Sequence, residues 1–180
     1  MYGLIHQAIK DLVCTERGEA VWQAVCTTAK VDSTEFEPLE PYDDGVSYRL
    51  VTAASEHLGL PVPEILRRFG DHWITFTADY GYGDIMKMFG SDMRSCLRNL
   101  NRMHGHMGAM MTQLKPPRFN VVENSDQHIT VHYFSSREGL GPMVVGLLEG
   151  LARKFGEQVT IEHVPKDTRS DHDEFEVVFL

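Results

Sequence analysis

Cysteine is scarce in this chain of 180 residues. There are three, Cys14, Cys26 and Cys96, widely spaced and without a CxxC pair. That spacing argues against a disulfide framework and a cysteine zinc knuckle, and it favours a reducing, cytoplasmic compartment. Long apolar runs are missing too. No stretch reaches the ~18–20 apolar residues of a membrane-spanning helix. The opening "MYGLIHQAIKDLV" lacks the basic start, apolar run and small-residue cleavage site of a signal peptide. Cations are outnumbered, 17 Lys and Arg against 26 Asp and Glu, for a net charge of −9. Without a basic stripe to displace counterions, nucleic acid is not an expected partner. Internal repeats and low-complexity tracts are absent as well. What is present is an ordinary globular composition, with apolar content sufficient for a core and a length suited to one domain or two closely packed subdomains.

The first two-thirds of the chain has helical periodicity. Leu4, Ile5, Ala8, Ile9, Leu12 and Val13 fall on one stripe of a helix over residues 2–13. Residues 18–30 repeat the pattern with Ala20, Val21, Ala24 and Val25. A loop broken by Pro38 and Pro41 leads through Asp44-Gly45 to a helix that Gly59 terminates. Pro61 and Pro63 open the next helix, expected over 63–81, and a short helical piece is expected at 83–89. "NLNRMHGHMGAMM" lies on a further helix, which "KPPRF" at 115–119 stops. Beyond it the pattern changes. "RFNVVEN" and "QHITVHYFS" read as strands joined by "NSD". "GPMVVGLLEGLARKFG" reads as a helix with Pro142 in its first turn, and "EQVTIEHV" and "DEFEVVFL" as two more strands. The fold expected is α+β. A mainly helical part, 1–112, precedes a β-β-α-β-β part, 113–180, whose four-stranded antiparallel sheet packs on one helix.

Two constellations carry chemistry. His104 shares a helix face with Leu97, Leu100, Met107 and Met111, at offsets −7, −4, +3 and +7. Such an imidazole is either a buried histidine bonded to an ordinary partner or a metal ligand. Zinc is disfavoured, because no i, i+4 His or Glu completes a site. Haem needs only one protein ligand, since the porphyrin supplies four. The second constellation is "YFSSR". At a strand end, Tyr133, Ser135 and Arg137 alternate to one side. They are either a half-buried tyrosine, a strand-end serine and a surface arginine, or a carboxylate receptor of two hydroxyls and a guanidinium. A haem carries two carboxylates, so both constellations suit one ligand.

The chain resembles the haem nitric oxide/oxygen binding (H-NOX) family, which includes the regulatory haem domain of soluble guanylate cyclase. The likeness runs through "MYGLIHQAI", "LRRFGDHWITFTADYGYGDIMKMFG", "NLNRMH", "PPRF" and "YFSSREGLGPMVVGLLEG" to the final strands. It is strongest to stand-alone cyanobacterial-type members. The resemblance implies a single domain over 1–180 with haem between its two parts. It implies that His104 is the axial iron ligand. Tyr133, Ser135 and Arg137 would hold the propionates, with Asp44 pairing with Arg137. Pro117 would press on and distort the porphyrin. Ile5, Ile9, Trp73 and Met143 would line the distal pocket. The cofactor is expected to be non-covalent haem b, because CxxCH is absent.

Two departures from the family pattern bear on function. Oxygen-binding members carry a distal tyrosine where this chain has Pro142, and Gly141, Met143 and Val144 beside it offer no hydroxyl. Trp73 is either core packing or an indole N–H donor. Some members hold zinc through C-terminal cysteines; here no cysteine follows Cys96, so His163 and His172 read as surface residues. The resemblance implies a non-enzymatic sensor of nitric oxide and carbon monoxide. It would signal through loss of the His104–iron bond and relaxation of the haem, to a separate histidine kinase or a diguanylate or guanylate cyclase. The alternatives are a peroxidase-like haem enzyme, for which His6 is the one tempting distal acid/base, and a detached regulatory fragment of a cyclase.

Overall fold

The computed structural model describes residues 1–82, 88, 90–166 and 170–180. Side chains are described for these residues except Gly81, Tyr82 and Met110. Four helices open the chain: α1 (Gly3–Arg17), α2 (Glu19–Ala29), α3 (Asp44–Leu58) and α4 (Val62–Thr77). The chain then widens into a π-helical segment, Ala78–Tyr82. Next come α5 (Met93–Met110), the hairpin β1 (Arg118–Ser125) and β2 (His128–Phe134), α6 (Gly141–Phe155), β3 (Val159–Val164) and β4 (Asp173–Phe179). The helical piece expected at 83–89 lies, apart from Met88, outside the described residues.

Local chemistry sets the boundaries. Asp43 caps α3 by accepting from the Gly45 N–H at 2.8 Å, and Gly59 ends it at φ 69°, where a side chain would be strained. Asp92 and Ser95 form a reciprocal capping box at the start of α5, satisfying two orphan N–H groups. The helix expected over 63–81 keeps its α form only to Thr77. The Thr77 hydroxyl donates to the Trp73 carbonyl at 2.7 Å, a back-bond that competes with the helical ladder, and the π segment begins at the next residue. The hairpin turn is Asp126–Gln127 rather than "NSD". β1 runs on through Ser125, with a register irregularity between Glu123 and Ser125.

The sheet is antiparallel throughout, in the order β1-β2-β4-β3. Its inner face presents Phe119, Ile129, Val131, Tyr133, Phe175 and Val177 to α6 and α5. A second core joins α1 to α4 around Trp22, Leu50 and Phe69. α4 and α6 are the most intimately packed helices. A Cβ on Gly70 would lie 2.0 Å from the Met143 carbonyl oxygen, and one on Gly146 would lie 1.9 Å from that of Arg67. Only glycine permits this backbone approach. The crossing brings Trp73 and Met143, three positions along each helix from the contact or closer, to the wall of one cavity.

Candidate functional site: an apolar cavity with a histidine in its wall

Between α1, α4, α5, α6 and the inner face of the sheet lies a cavity of about 900 Å³. That is toward the upper end of the ~300–1,000 Å³ typical of cofactor and small-molecule pockets. Its wall is mostly aliphatic and aromatic, and among its polar residues Arg137 is joined to Asp44 and to the Lys115 carbonyl. Nine of the ten residues singled out in the sequence line it: Ile5, Ile9, Asp44, Trp73, His104, Pro117, Tyr133, Arg137 and Met143. Ser135 does not.

His104 sits on α5 with Leu97, Leu100, Met107 and Met111, and all five line the cavity. The apolar stripe read from the sequence is thus a cavity wall and not a helix–helix seam. The Nδ1 of His104 is buried without a hydrogen-bond partner. Burial pushes the imidazole pKa down, opposed in part by the backbone of Pro117, so the neutral form, the one that ligates metals, is favoured. The Phe119 ring lies 6.1 Å from the imidazole.

The "YFSSR" group is held together differently from the strand alternation expected. β2 ends at Phe134, so Ser135 and Arg137 lie beyond the ladder. Ser135 Oγ accepts from the Arg137 backbone N–H at 3.0 Å, a side-chain turn that swings the chain out of the strand. The guanidinium then reaches α3. Arg137 Nε donates to Asp44 Oδ2 at 2.8 Å, Nη2 to Asp44 Oδ1 at 3.3 Å, and Nη1 to the Lys115 carbonyl at 2.8 Å. Asp44 Oδ1 also accepts from the Met1 amine at 2.6 Å. Burial would raise the Asp44 carboxyl, but the hydrogen bonds from Met1 and Arg137 outweigh it and hold it below the usual carboxylate range. Tyr133 is buried, which raises its phenol, while Ser135 and Arg137 pull the other way. Ser135 therefore acts on the geometry of its neighbours rather than on the cavity.

Trp73 stands between Phe69 and Phe76, ring centroids 6.0 and 6.2 Å away. Sequence reading missed, among other lining residues, Tyr2, Leu66, Phe69, Leu140 and Leu147. Phe69 and Leu66 stand four and seven positions before Trp73, and Leu140 and Leu147 three before and four after Met143, so helical spacing could have found these four. His6, next to Ile5, does not line the cavity. It is fully buried beside it, Nε2 2.7 Å from Ser47 Oγ, against the rings of Phe36 and Tyr42. His163 and His172, read as surface residues, are half-buried. His163 stacks on Phe175 at 4.6 Å and pairs with Asp173 at 3.0 Å.

These residues suit a haem. The wall is mostly apolar, a buried imidazole kept neutral by burial stands in it, and the Arg137 guanidinium lines it where carboxylates could be held. The fold and the sequence agree on the class. The haem-NO-binding family profile matches residues 2–163, and the chain belongs to that family. It is 28% identical over 186 residues to the soluble guanylate cyclase gcy-35 of Caenorhabditis elegans, covering all of this chain and 27% of that protein. It is 23% identical over 155 residues to the soluble guanylate cyclase 89Da of Drosophila melanogaster, covering 86% and 23%. The chain thus spans about a quarter of the length of these relatives. A triple-alanine mutant of an H-NOX protein from S. oneidensis in the Fe(II) state superposes with a TM-score of 0.91 at 21% identity, covering 100% of this chain and 96% of that one. The Fe(II)NO state of an S. oneidensis H-NOX protein gives 0.88 at 20% identity, covering 100% and 99%. Among the described residues, no helix is long and apolar enough to cross a membrane.

Proposed function

We propose that this chain is a haem-based sensor of nitric oxide and carbon monoxide that passes its state to a separate effector. The observation that carries the reading is the buried imidazole of His104, kept neutral by its burial, in the wall of an apolar cavity. A neutral imidazole has a free ring-nitrogen lone pair, and an iron ion in the cavity would use it.

His104 would hold the iron of a non-covalent haem b, and Arg137, with Tyr133, would hold its carboxylates. The bound haem would supply a ferrous iron able to take a diatomic gas. The protein's own part is to exclude water, orient the ligand and respond. Ile5, Ile9, Trp73 and Met143 offer an apolar wall that admits a neutral gas. Pro117 faces the cavity beside His104 and presents a rigid ring. His104 stands on α5, which runs into the 111–117 segment, and Arg137 ties that segment to α3 through Lys115 and Asp44. A change in how firmly His104 is held would therefore be felt where the helical part (1–112) meets the sheet part (113–180). A rotation there is a two-state element of the kind a sensor needs. The methionines around His104 would ease repacking. For the effector, the relatives suggest a guanylate cyclase; a histidine kinase or a diguanylate cyclase acting in trans rests on the likeness to stand-alone members of the family. A peroxidase-like role would need a distal acid/base, and His6, turned to Ser47, does not supply it.

The test is His104→Gly. The variant should lose the ferrous absorption spectrum of the parent, and added imidazole should restore it. An unchanged spectrum without imidazole would remove His104 as the ligand.

A further inference from the structure

The outer face of the sheet carries a second set of ligand-type side chains, none of which lines the cavity. His132 on β2 lies directly opposite Glu174 on β4 in the ladder. Because strand side chains alternate, both point away from the core that takes Val131, Tyr133 and Phe175. His172 precedes Glu174 by two residues. One nitrogen from each histidine and one oxygen of Glu174 lie within 4.8 Å of one another, and all three residues are half-buried.

The ring of His172 is caught between two carboxylates. Its Nδ1 is 2.8 Å from Asp171 Oδ1, and its Nε2 is 3.2 Å from Glu174 Oε1. A neutral imidazole has a single N–H. If Nδ1 donates to Asp171, the Nε2 lone pair faces a carboxylate oxygen, and two acceptors meet. The other tautomer would donate from Nε2 to Glu174 and turn the Nδ1 lone pair to Ser170 Oγ at 3.3 Å; a cation beside Glu174 relieves the first arrangement. A second proton on His172 would serve Asp171 and Glu174 and leave the His132 nitrogen unused. A divalent metal ion would use all three.

We propose that His132, His172 and Glu174 bind a late first-row divalent cation such as zinc, tying β2 to the segment ahead of β4. Two imidazoles and one carboxylate suit such an ion better than magnesium or calcium, which favour all-oxygen sites. A tetrahedral zinc with bonds of about 2.0–2.1 Å separates its donors by roughly 3.3 Å; Nε2 of His172 and Oε1 of Glu174 are already 3.2 Å apart. Asp171 on Nδ1 is the outer carboxylate that fixes the tautomer of a metal-bound histidine. The rings of His132 and His172 now stack, centroids 4.6 Å apart at 17°. A metal lies in the plane of each imidazole it binds, so one ring turns out of the stack on binding. Water completes the coordination on the exposed side.

The experiment is calorimetric titration of the haem-loaded chain with zinc chloride, alongside His132→Asn, His172→Asn and Glu174→Gln. One zinc per chain is expected. Each substitution should weaken binding at least tenfold, and zinc should raise the Tm of the parent but not of His172→Asn. Magnesium chloride should give no binding. Absence of stoichiometric zinc binding overturns the proposal, as does an affinity unchanged in the variants. If the strand substitutions reduce folding, as judged by circular dichroism, His172→Asn lies outside the strands and decides the matter alone.

Discussion

Arg137 and Asp44 form a two-point ion pair in the wall of the cavity, 93 positions apart in sequence. Asp44 is half-exposed, so solvent screens the pair and its own contribution to stability is modest. Its effect is geometric: it locks the guanidinium plane and joins the chain after β2 to the first turn of α3. Arg137→Ala should therefore speed haem loss to an apoprotein acceptor by about tenfold, because it removes a charge-assisted contact. Ser135→Ala should cost only a few-fold, since Ser135 supports the turn and does not line the cavity. Equal losses would count against a carboxylate-binding role for Arg137.

Asp44→Asn removes the charge but keeps the shape. It should leave haem retention closer to the parent than Arg137→Ala does, while loosening the link between α3 and the 111–117 segment. Faster hydrogen exchange in residues 111–117 is the expected signature, and unchanged exchange there would argue that Asp44 has no part in that link.

Pro117 is rigid and lines the cavity beside His104. Pro117→Ala removes the ring that would press on the cofactor. Resonance Raman spectra of the ferrous protein should then report a flatter porphyrin without gas, and effector output should move toward its ligand-bound level. Both unchanged would end the strain mechanism while leaving the assignment of His104 intact.

Gas selectivity follows from the wall. Bound oxygen gains from a nearby donor more than nitric oxide or carbon monoxide does; Pro142, where oxygen-binding members carry tyrosine, does not line the cavity, and Met143 and Val144 beside it line it without a hydroxyl. The ferrous protein should take up nitric oxide and carbon monoxide and show no persistent spectral change in air. Should a long-lived change in air be seen, the indole N–H of Trp73 is the candidate donor, and Trp73→Phe should abolish it.

His6 makes stability depend on pH. Burial lowers its pKa from 6.5 to about 4. The unfolded chain then takes up a proton below pH 6.5 that the folded chain refuses until about pH 4. Stability is thus fully present above pH 6.5 and lost as pH falls across that window, by roughly 3 kcal/mol. Urea midpoints measured between pH 7 and 4 should fall for the parent and flatten for His6→Gln. Equal slopes would assign the acid sensitivity to other groups.

The elements were legible because their signals are local. Periodicity at 3.6 and at 2, together with Asp44-Gly45, Gly59, Pro61 and Pro142, marked most helices and strands. The π segment after Thr77 and the extension of β1 through Ser125 were not legible. Each depends on a competition between hydrogen-bonding alternatives that composition does not rank. The site was legible only where residues sit close in sequence or carry a family pattern. Leu97, Leu100, Met107 and Met111 were correctly placed on the face of His104, but periodicity cannot distinguish a stripe packed against a helix from one lining a void.

The sequence by itself determined most of the element order and the apolar stripe around His104, and it singled out the candidate group at 133–137, because these signals are local in the chain. Only the tertiary structure decided that the stripe borders a cavity, that Ser135 bonds the Arg137 backbone N–H outside that cavity, and that His132 and His172 meet across the outer sheet. These are contacts between distant segments. They depend on the close crossing of Gly70 and Gly146, on the register of β2 against β4 and on the reach of Arg137 to α3, and each of those is set by packing the whole chain at once.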